Sequence, residues 1–164
     1  MIKIHPKKPN TIFVAAYGPL WSSGGDRGIY KSEDGGTTWK NVLEVSEHTG
    51  FNEVYFHPEN PEIMYATAHQ RRRHVWTYVS GGSESAIYKS TDGGANWSKL
   101  ENGVPSEDKG RIALAIPPAR PDRIYAMIEG HGTYRSDNGG ASFKKLNDDY
   151  TSGNYYVELI SDPV

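Results

Sequence analysis

The stretch Ser32–Trp39, which reads SEDGGTTW, recurs as STDGGANW at Ser90–Trp97 and, in a divergent form, as SDNGGASF at Ser136–Phe143. All three copies keep a serine, an aspartate or asparagine two residues later, a pair of glycines and a closing aromatic residue. The second copy begins 58 residues after the first, and the third begins 46 residues after the second. Self-similarity at a period of tens of residues indicates an architecture of repeated supersecondary units.

Strand-like runs surround each copy of the motif. Gly28–Lys31 precedes the first copy and Trp39–Leu43 closes it, and equivalent runs flank the other two. Each unit therefore predicts four short strands, rich in Tyr, Ile, Val, Trp and Phe and separated by Gly, Pro, Asn and Asp. Four antiparallel strands per repeat are typical of a β-propeller blade, so the predicted fold class is all-β. A proline-marked turn lies early in each unit, at Pro6–Pro9, Pro58–Pro61 and Pro118–Pro121.

The repeat predicts a single partial propeller domain over residues 1–164. Its units span about residues 1–46, 52–102 and 111–147, and residues 154–164 match the first strand of a fourth. Propellers close with four to eight blades, so three units predict an incomplete propeller. The expected partners are then the remaining blades of a longer chain or, as the alternative, other copies of this chain in a self-associated ring.

The two intact motif copies and their flanking strands resemble the Asp-box repeat, also called the bacterial neuraminidase repeat. Within those propellers the chain is most similar to the sortilin-like domains of bacterial glycosyl-hydrolase-like proteins. The third copy departs from the motif at Asn138 and Phe143. The resemblance implies a secreted or periplasmic location, although Met1–Pro6 reads directly as a strand and a turn rather than as a signal peptide.

The motif residues have a structural interpretation. Asp34 and Asp92 can accept hydrogen bonds from backbone N–H groups of their own turn, and the glycines allow positive φ. The alternative is a metal ligand or a general acid, but recurrence in every unit favours the structural role, since a catalytic site needs one such group. The residues assigned to this role are Ser32, Asp34, Gly36, Trp39, Ser90, Asp92, Gly94, Trp97, Ser136, Asn138, Gly140 and Phe143.

Composition excludes several classes of function. The 164 residues include no cysteine, which excludes disulfides and thiolate sites, and a net charge of −2 gives no general attraction to nucleic acid. No apolar run approaches the roughly 18 residues of a membrane span. The six histidines are scattered without metal-ligand spacing, so the sequence predicts neither a metal nor another cofactor.

The long predicted loops identify one end of the blades as the candidate binding face. Tyr17–Arg27 and His69–Ser85 join second to third strands, and Glu44–Asn52 and Glu101–Arg111 join successive units. In a propeller these loops emerge on one face, opposite the motif turns. Alternatively, the aromatic residues pack the loops onto the blades and the arginines pair with nearby acids such as Asp26. The candidate ligand-binding residues are Trp21, Arg27, Arg71, Arg73, His74 and Trp76.

Three functions remain open at this stage. The first is a binding module that holds a glycan or an extended peptide on the long-loop face. The second is part of a secreted glycoside hydrolase whose site is completed by other blades, and the third is a structural scaffold. A glycosidase needs two carboxyl groups about 5 Å or about 6.5–9.5 Å apart. The only candidate pairing joins Asp26 to Glu107 or Asp108.

Overall fold

In the computed structural model, residues 1–150 and 158–162 are described, and this part of the chain contains thirteen strands and no helix. No segment of it forms a helix able to cross a membrane. The predicted fourth unit, at 154–164, falls mostly outside the described residues. The strands are β1 (Ile2–His5), β2 (Lys8–Tyr17), β3 (Arg27–Ser32), β4 (Lys40–Leu43), β5 (Thr49–Phe56), β6 (Met64–Arg73), β7 (Tyr78–Ser80), β8 (Ala86–Ser90), β9 (Ser98–Leu100), β10 (Ile112–Ala115), β11 (Ile124–Ile128), β12 (Gly132–Ser136) and β13 (Lys144–Asn147).

These strands form three antiparallel sheets over the described residues. The first sheet has the order β1-β2-β3-β4, the second β5-β6-β8-β9 and the third β10-β11-β12-β13. Each sheet follows chain order because short turns connect neighbouring strands. The prediction of an all-β chain built from four-stranded antiparallel units is confirmed.

The second sheet carries an additional hairpin. Strand β6 continues to Arg73 and pairs with β7, in the register Arg71↔Ser80, Arg72↔Val79 and Arg73↔Tyr78. The sequence placed this segment in a loop, but the β-forming residues Tyr78 and Val79 give the arginines a partner strand. The arginine run therefore lies on a rigid element that projects beyond the four-stranded sheet.

The hydrophobic core lies between successive sheets. Phe13 and Ile29 of the first sheet pack with Phe51, Val54 and Met64 of the second. A second cluster joins the second sheet to the third, and its fully buried members include Tyr65, Ile87, Ile112, Leu114 and Ile124.

Each later motif turn packs against the preceding sheet. A Cβ added at Gly94 would lie 2.7 Å from the ring of Phe13, and one at Gly140 would lie 2.8 Å from a methyl group of Leu100. The hydroxyl of Tyr65 donates to the carbonyl of Gly139 at 3.0 Å. The glycines thus serve two purposes, since they adopt positive φ and admit a neighbouring sheet.

Candidate ligand-binding face

The carboxylates of the motifs accept hydrogen bonds from groups of their own turns. Asp34 accepts hydrogen bonds from the hydroxyl of Thr38 at 2.5 Å, the N–H of Thr38 at 2.9 Å and the hydroxyl of Ser32 at 2.8 Å. These bonds, those from Thr38 first, lower the pKa of Asp34 to about 2. The N–H and the side chain of Asn96 have the same effect on Asp92, whose pKa also falls to about 2.

The divergent third motif keeps this pattern without a charge. Asn138 accepts from the hydroxyl of Ser136 at 2.8 Å and from the N–H of Ser142 at 3.0 Å. Its closing residue, Phe143, is buried, whereas the indoles of Trp39 and Trp97 donate to glycine carbonyls of their own turns at 3.0 and 3.1 Å. An amide oxygen replaces the carboxylate here because the turn requires an acceptor and not a charge.

The long loop of the first sheet is organised around Arg27. This side chain is 2% exposed, and its guanidinium donates to the carbonyls of Tyr17 at 2.8 Å, Pro19 at 2.6 Å, Ser22 at 3.2 Å and Gly24 at 3.0 Å. The sequence proposed Arg27 as a ligand-binding residue. Because these carbonyls occupy its donors, we assign it the task of holding the loop over residues 18–26.

The arginines of the β6–β7 hairpin stack on tyrosines. The guanidinium of Arg71 lies 3.8 Å from the ring centroid of Tyr17, and that of Arg73 lies 4.4 Å from the ring of Tyr78. Alternate residues of a strand point to opposite sides, so Arg72 projects away from the other two. In the described part of the chain, none of Arg27, Arg71 and Arg72 forms an ion pair with a carboxylate.

Backbone hydrogen bonds join the long loops of the first and second sheets. The N–H of Arg73 donates to the carbonyl of Leu20 at 2.9 Å, and the N–H of Gly24 donates to the carbonyl of Glu47 at 2.8 Å. Trp21 follows Leu20 in the chain and His74 follows Arg73. The link therefore brings two segments, distant in sequence, to one surface.

Three rings are presented on that surface. Trp76 is 82% exposed and stacks on His74 with ring centroids 5.4 Å apart and planes 16° apart. Trp21, on the joined loop, is 62% exposed. We call Trp21, His74 and Trp76 the aromatic ridge. Most of the surface of Trp21 and Trp76 is therefore available to a ligand.

A cavity of about 390 Å³ lies beside the aromatic ridge, between the loops of the first two sheets. We call it the arginine cavity. Both loops contribute to it, and its described lining includes two arginines, two histidines and no acidic residue. The lining residues are Ser23, His48, Gln70, Arg71, Arg72, His74 and Val79.

A buried tyrosine–histidine pair lies next to Arg71 of this cavity. The hydroxyl of Tyr17 and Nδ1 of His69 are 2.6 Å apart. Burial raises the pKa of Tyr17 to about 12 and lowers that of His69 to about 3, and in the second case the charges of Arg71 and Arg111 add to the effect. Both side chains are therefore neutral at ordinary pH and act as a fixed support under Arg71.

The candidate catalytic carboxyl groups lie on loops of different sheets and have different neighbours. Asp26 lies beside Tyr30 of the first sheet, where it adds to the effect of burial in raising the pKa of that tyrosine. Asp108 instead lies at the third sheet, where its carbonyl is 2.9 Å from Nε2 of His131. The side chains of Glu107 and Asp108 are exposed. Among the described residues, no group of three or more His, Asp or Glu side chains could hold a metal ion.

One buried carboxyl group was not predicted from the sequence. Glu53 is 3% exposed and accepts a hydrogen bond from the N–H of Leu114 at 2.9 Å. Burial raises its pKa to about 7, although that hydrogen bond and Arg111 act in the opposite direction. The signal in the sequence was a lone acid inside the apolar strand Thr49–Phe56. We assign Glu53 to the contact between the second and third sheets.

A second cavity, also of about 390 Å³, lies at the free side of the third sheet. Tyr125 of β11 lines this cavity and pairs with Arg135 of the next strand. Phe13 of β2 and Tyr65 of β6 occupy the equivalent positions, since each pairs with a lysine of the next strand, Lys31 and Lys89. Phe13 and Tyr65 each receive the motif turn of the following sheet. This cavity therefore has the geometry of a packing position between blades.

Comparisons with known proteins agree on one architecture. The profile of the family described as Sortilin, neurotensin receptor 3 (Sortilin-Vps10) matches residues 27–158. A xyloglucanase from Paenibacillus sp. is 33% identical over 93 residues, which are 52% of this chain and 9% of that protein. A xyloglucanase from Hypocrea jecorina (strain QM6a) is 30% identical over 121 residues, or 70% of this chain and 13% of that protein.

The likeness extends to a solved structure. An ancestral GH74 enzyme superposes with a TM-score of 0.67 at 18% identity, over 89% of this chain and 18% of the enzyme. At that identity the match shows the fold, and the three sheets are consecutive β-propeller blades. The chain spans only a small part of each relative, so the activity of the whole relatives does not transfer with the fold.

Proposed function

Because this chain belongs to the Sortilin-Vps10 family and is a propeller segment related to GH74 xyloglucanases, we propose that it is a binding module that holds a glycan across its long-loop face. The aromatic ridge is the observation that carries the proposal. The large apolar side chains of Trp76 and Trp21 are exposed to solvent, although hydrogen bonds fix the loops that carry them. Exposed apolar surface of this kind marks interaction sites.

The ridge suits a sugar ring in shape and in rigidity. The flat face of an indole packs against the C–H face of a pyranose, while the hydroxyl groups at the ring edge remain available to polar neighbours. His74 lies parallel behind Trp76 and fixes its orientation. Groups that are ordered before binding lose less conformational entropy on binding, which favours affinity.

The xyloglucanases among the relatives support a glycan rather than an extended peptide as the proposed ligand. Xyloglucan oligosaccharide is therefore the natural first probe. The names of these relatives make glycoside hydrolysis the second candidate function. That function needs a pair of carboxyl groups at a fixed separation. Asp26 and Asp108 lie on loops of different sheets and have different neighbours, which favours binding over hydrolysis for this segment.

We expect Trp76→Ala to weaken binding of a xyloglucan oligosaccharide about tenfold, equivalent to about 1.4 kcal/mol, because it removes the most exposed ring of the ridge. The measurement is isothermal titration calorimetry on the wild-type protein and the variant. Trp39→Phe is the matched control, since Trp39 belongs to a motif turn at the other end of β2. Trp76 instead lies in the β6–β7 hairpin of the second sheet.

Equal affinities for wild type and Trp76→Ala would contradict the proposal, as would an equal loss in Trp39→Phe. An extended peptide library serves as the second ligand class in the same assay. Saturable binding of peptides together with no binding of the oligosaccharide would replace the glycan proposal by the peptide one.

A further inference from the structure

The arginine cavity contains positive charge that the protein itself does not neutralise. Burial lowers the pKa of Arg27, and the positive charges of Arg71 and Arg72 lower it further. None of the three pairs with a carboxylate in the part of the chain that the structure describes. This clustering occurs in a protein whose net charge is −2.

The two arginines of the lining differ from Arg27 in their partners. Arg27 is satisfied by four carbonyl groups, whereas Arg71 rests on the ring of Tyr17. The Nε–H of Arg72 is buried and has no hydrogen-bond partner among the described residues. A buried cationic donor without an acceptor favours the binding of an anion from outside.

Two acids lie close to residues of the cavity lining, and each has a partner of its own. Glu47 lies 3.7 Å from Nε2 of His48, and its side chain is mostly exposed. Glu84 accepts from the hydroxyls of Ser46 and Thr49. Neither acid belongs to the cavity lining, so an anion in the cavity would face the arginines directly.

The cavity and the aromatic ridge share a residue. His74 stacks on Trp76 and also lines the cavity, so a sugar ring held on the ridge would carry its substituents to the cavity mouth. A volume of about 390 Å³ lies at the small end of ligand pockets and suits one sugar substituent with its neighbours. The planar fork of arginine matches a carboxylate through two parallel hydrogen bonds.

We propose that the arginine cavity binds the carboxylate of a hexuronic acid, so that the glycan recognised by this face is an acidic one. The inference rests on the proposed glycan binding and deepens it, because a neutral chain would leave the buried Nε–H of Arg72 without an acceptor. The charge of the ligand should then make binding sensitive to salt, since exposed charge interactions are screened as ionic strength rises.

The test compares two glycans that differ only in the carboxylate. A β-1,4-glucan oligosaccharide and its C6-oxidised derivative, a glucuronate oligosaccharide of equal length, are titrated into the full chain. We expect the oxidised glycan to bind about tenfold tighter at low salt, and the difference to shrink at high salt. Arg72→Gln should abolish this preference, so that the two glycans bind the variant with equal affinity.

Two further variants keep the test decisive. Arg72→Lys retains the charge but loses the planar fork, so we expect it to keep the salt dependence and lose part of the preference. Arg120→Gln removes an exposed arginine distant from the cavity and should bind both glycans as the wild type does.

The outcomes separate this inference from the proposed function. Equal affinities for the two glycans in the wild type would overturn the carboxylate site and leave glycan binding intact. Absence of binding for both glycans would overturn the proposed function. If inorganic sulfate displaces the oxidised glycan as effectively as free glucuronate does at equal ionic strength, the cavity is a general anion site and the assignment to an acidic glycan is wrong.

Discussion

Gly94→Ala is expected to lower the free energy of unfolding by about 3 kcal/mol, and the same change at the equivalent Gly36 by only about 1 kcal/mol. Both glycines have positive φ, +80° and +97°, so both variants carry the strain of a left-handed alanine. They differ in their surroundings. The new Cβ at Gly94 would lie 2.7 Å from the buried ring of Phe13, while at Gly36 the nearest atom, in Trp39, is 3.5 Å away.

The larger decrease in the free energy of unfolding at Gly94 reports the packing of one blade against the next. The motif turn of the second sheet is inserted against the first, and an added methyl group would push the ring of Phe13 out of a close-packed core. Urea unfolding of both variants, followed by tryptophan fluorescence and circular dichroism, gives the two free energies. Equal losses would contradict the account, because they would mean that the turn carries only local strain.

Glu53→Gln is expected to stabilise the protein by about 3 kcal/mol at pH 8 and to have little effect below pH 4.5. The pKa of Glu53 is raised from 4.5 to about 7 by burial. The folded state therefore holds more protons than the unfolded state between these pH values. The stability that protonated Glu53 provides is complete below pH 4.5 and is lost as the pH rises through 7.

Glutamine keeps the acceptor for the N–H of Leu114 and removes the charge. The free energy of unfolding of Glu53→Gln minus that of the wild type should thus be flat below pH 4.5, rise between pH 4.5 and 7, and level off above it. The variant is compared with the wild type because His69 also changes the stability of both proteins with pH. The pKa of His69 is lowered to about 3, so His69 makes the folded state more stable as the pH rises from 3 to 6.5, and this contribution cancels in the comparison.

The matched control for this prediction is Glu107→Gln, because Glu107 is an exposed acid. Its free energy of unfolding should differ from that of the wild type by a nearly constant amount above pH 5. A flat difference for Glu53→Gln across the same range would contradict the burial of an ionisable carboxyl group between the second and third sheets.

The fold could be predicted from the sequence because its determinants are local and repeated. In the first motif, Ser32 and Asp34 bind each other and accept the N–H groups of Gly36 and Thr38 within a single turn, so the eight-residue motif carries the signal. The proline-marked turns behave in the same way. His5 and His57 accept backbone N–H groups two and three residues ahead in equivalent turns, and that pattern is legible in the sequence as well.

The candidate site was only partly accessible from sequence. The exposed Trp21 and Trp76 lie outside the repeated positions, and that irregularity identified them. The role of Arg27 depends on four carbonyl groups whose directions follow from a loop conformation. The link between Arg73 and Leu20 joins segments more than fifty residues apart, and no local pattern encodes it.

In the proposed function, the long-loop face, and not the motif face, binds a glycan. The chain contains four tryptophans, and a nitrogen–proton correlation spectrum reports each indole N–H separately. Trp21 and Trp76 lie on the aromatic ridge, whereas the indoles of Trp39 and Trp97 are hydrogen-bonded to Gly36 and Gly94 within the motif turns. On titration with the glucuronate oligosaccharide, the account predicts that the signals of Trp21 and Trp76 move and those of Trp39 and Trp97 stay in place. Movement of the two motif signals, or of none, would contradict it.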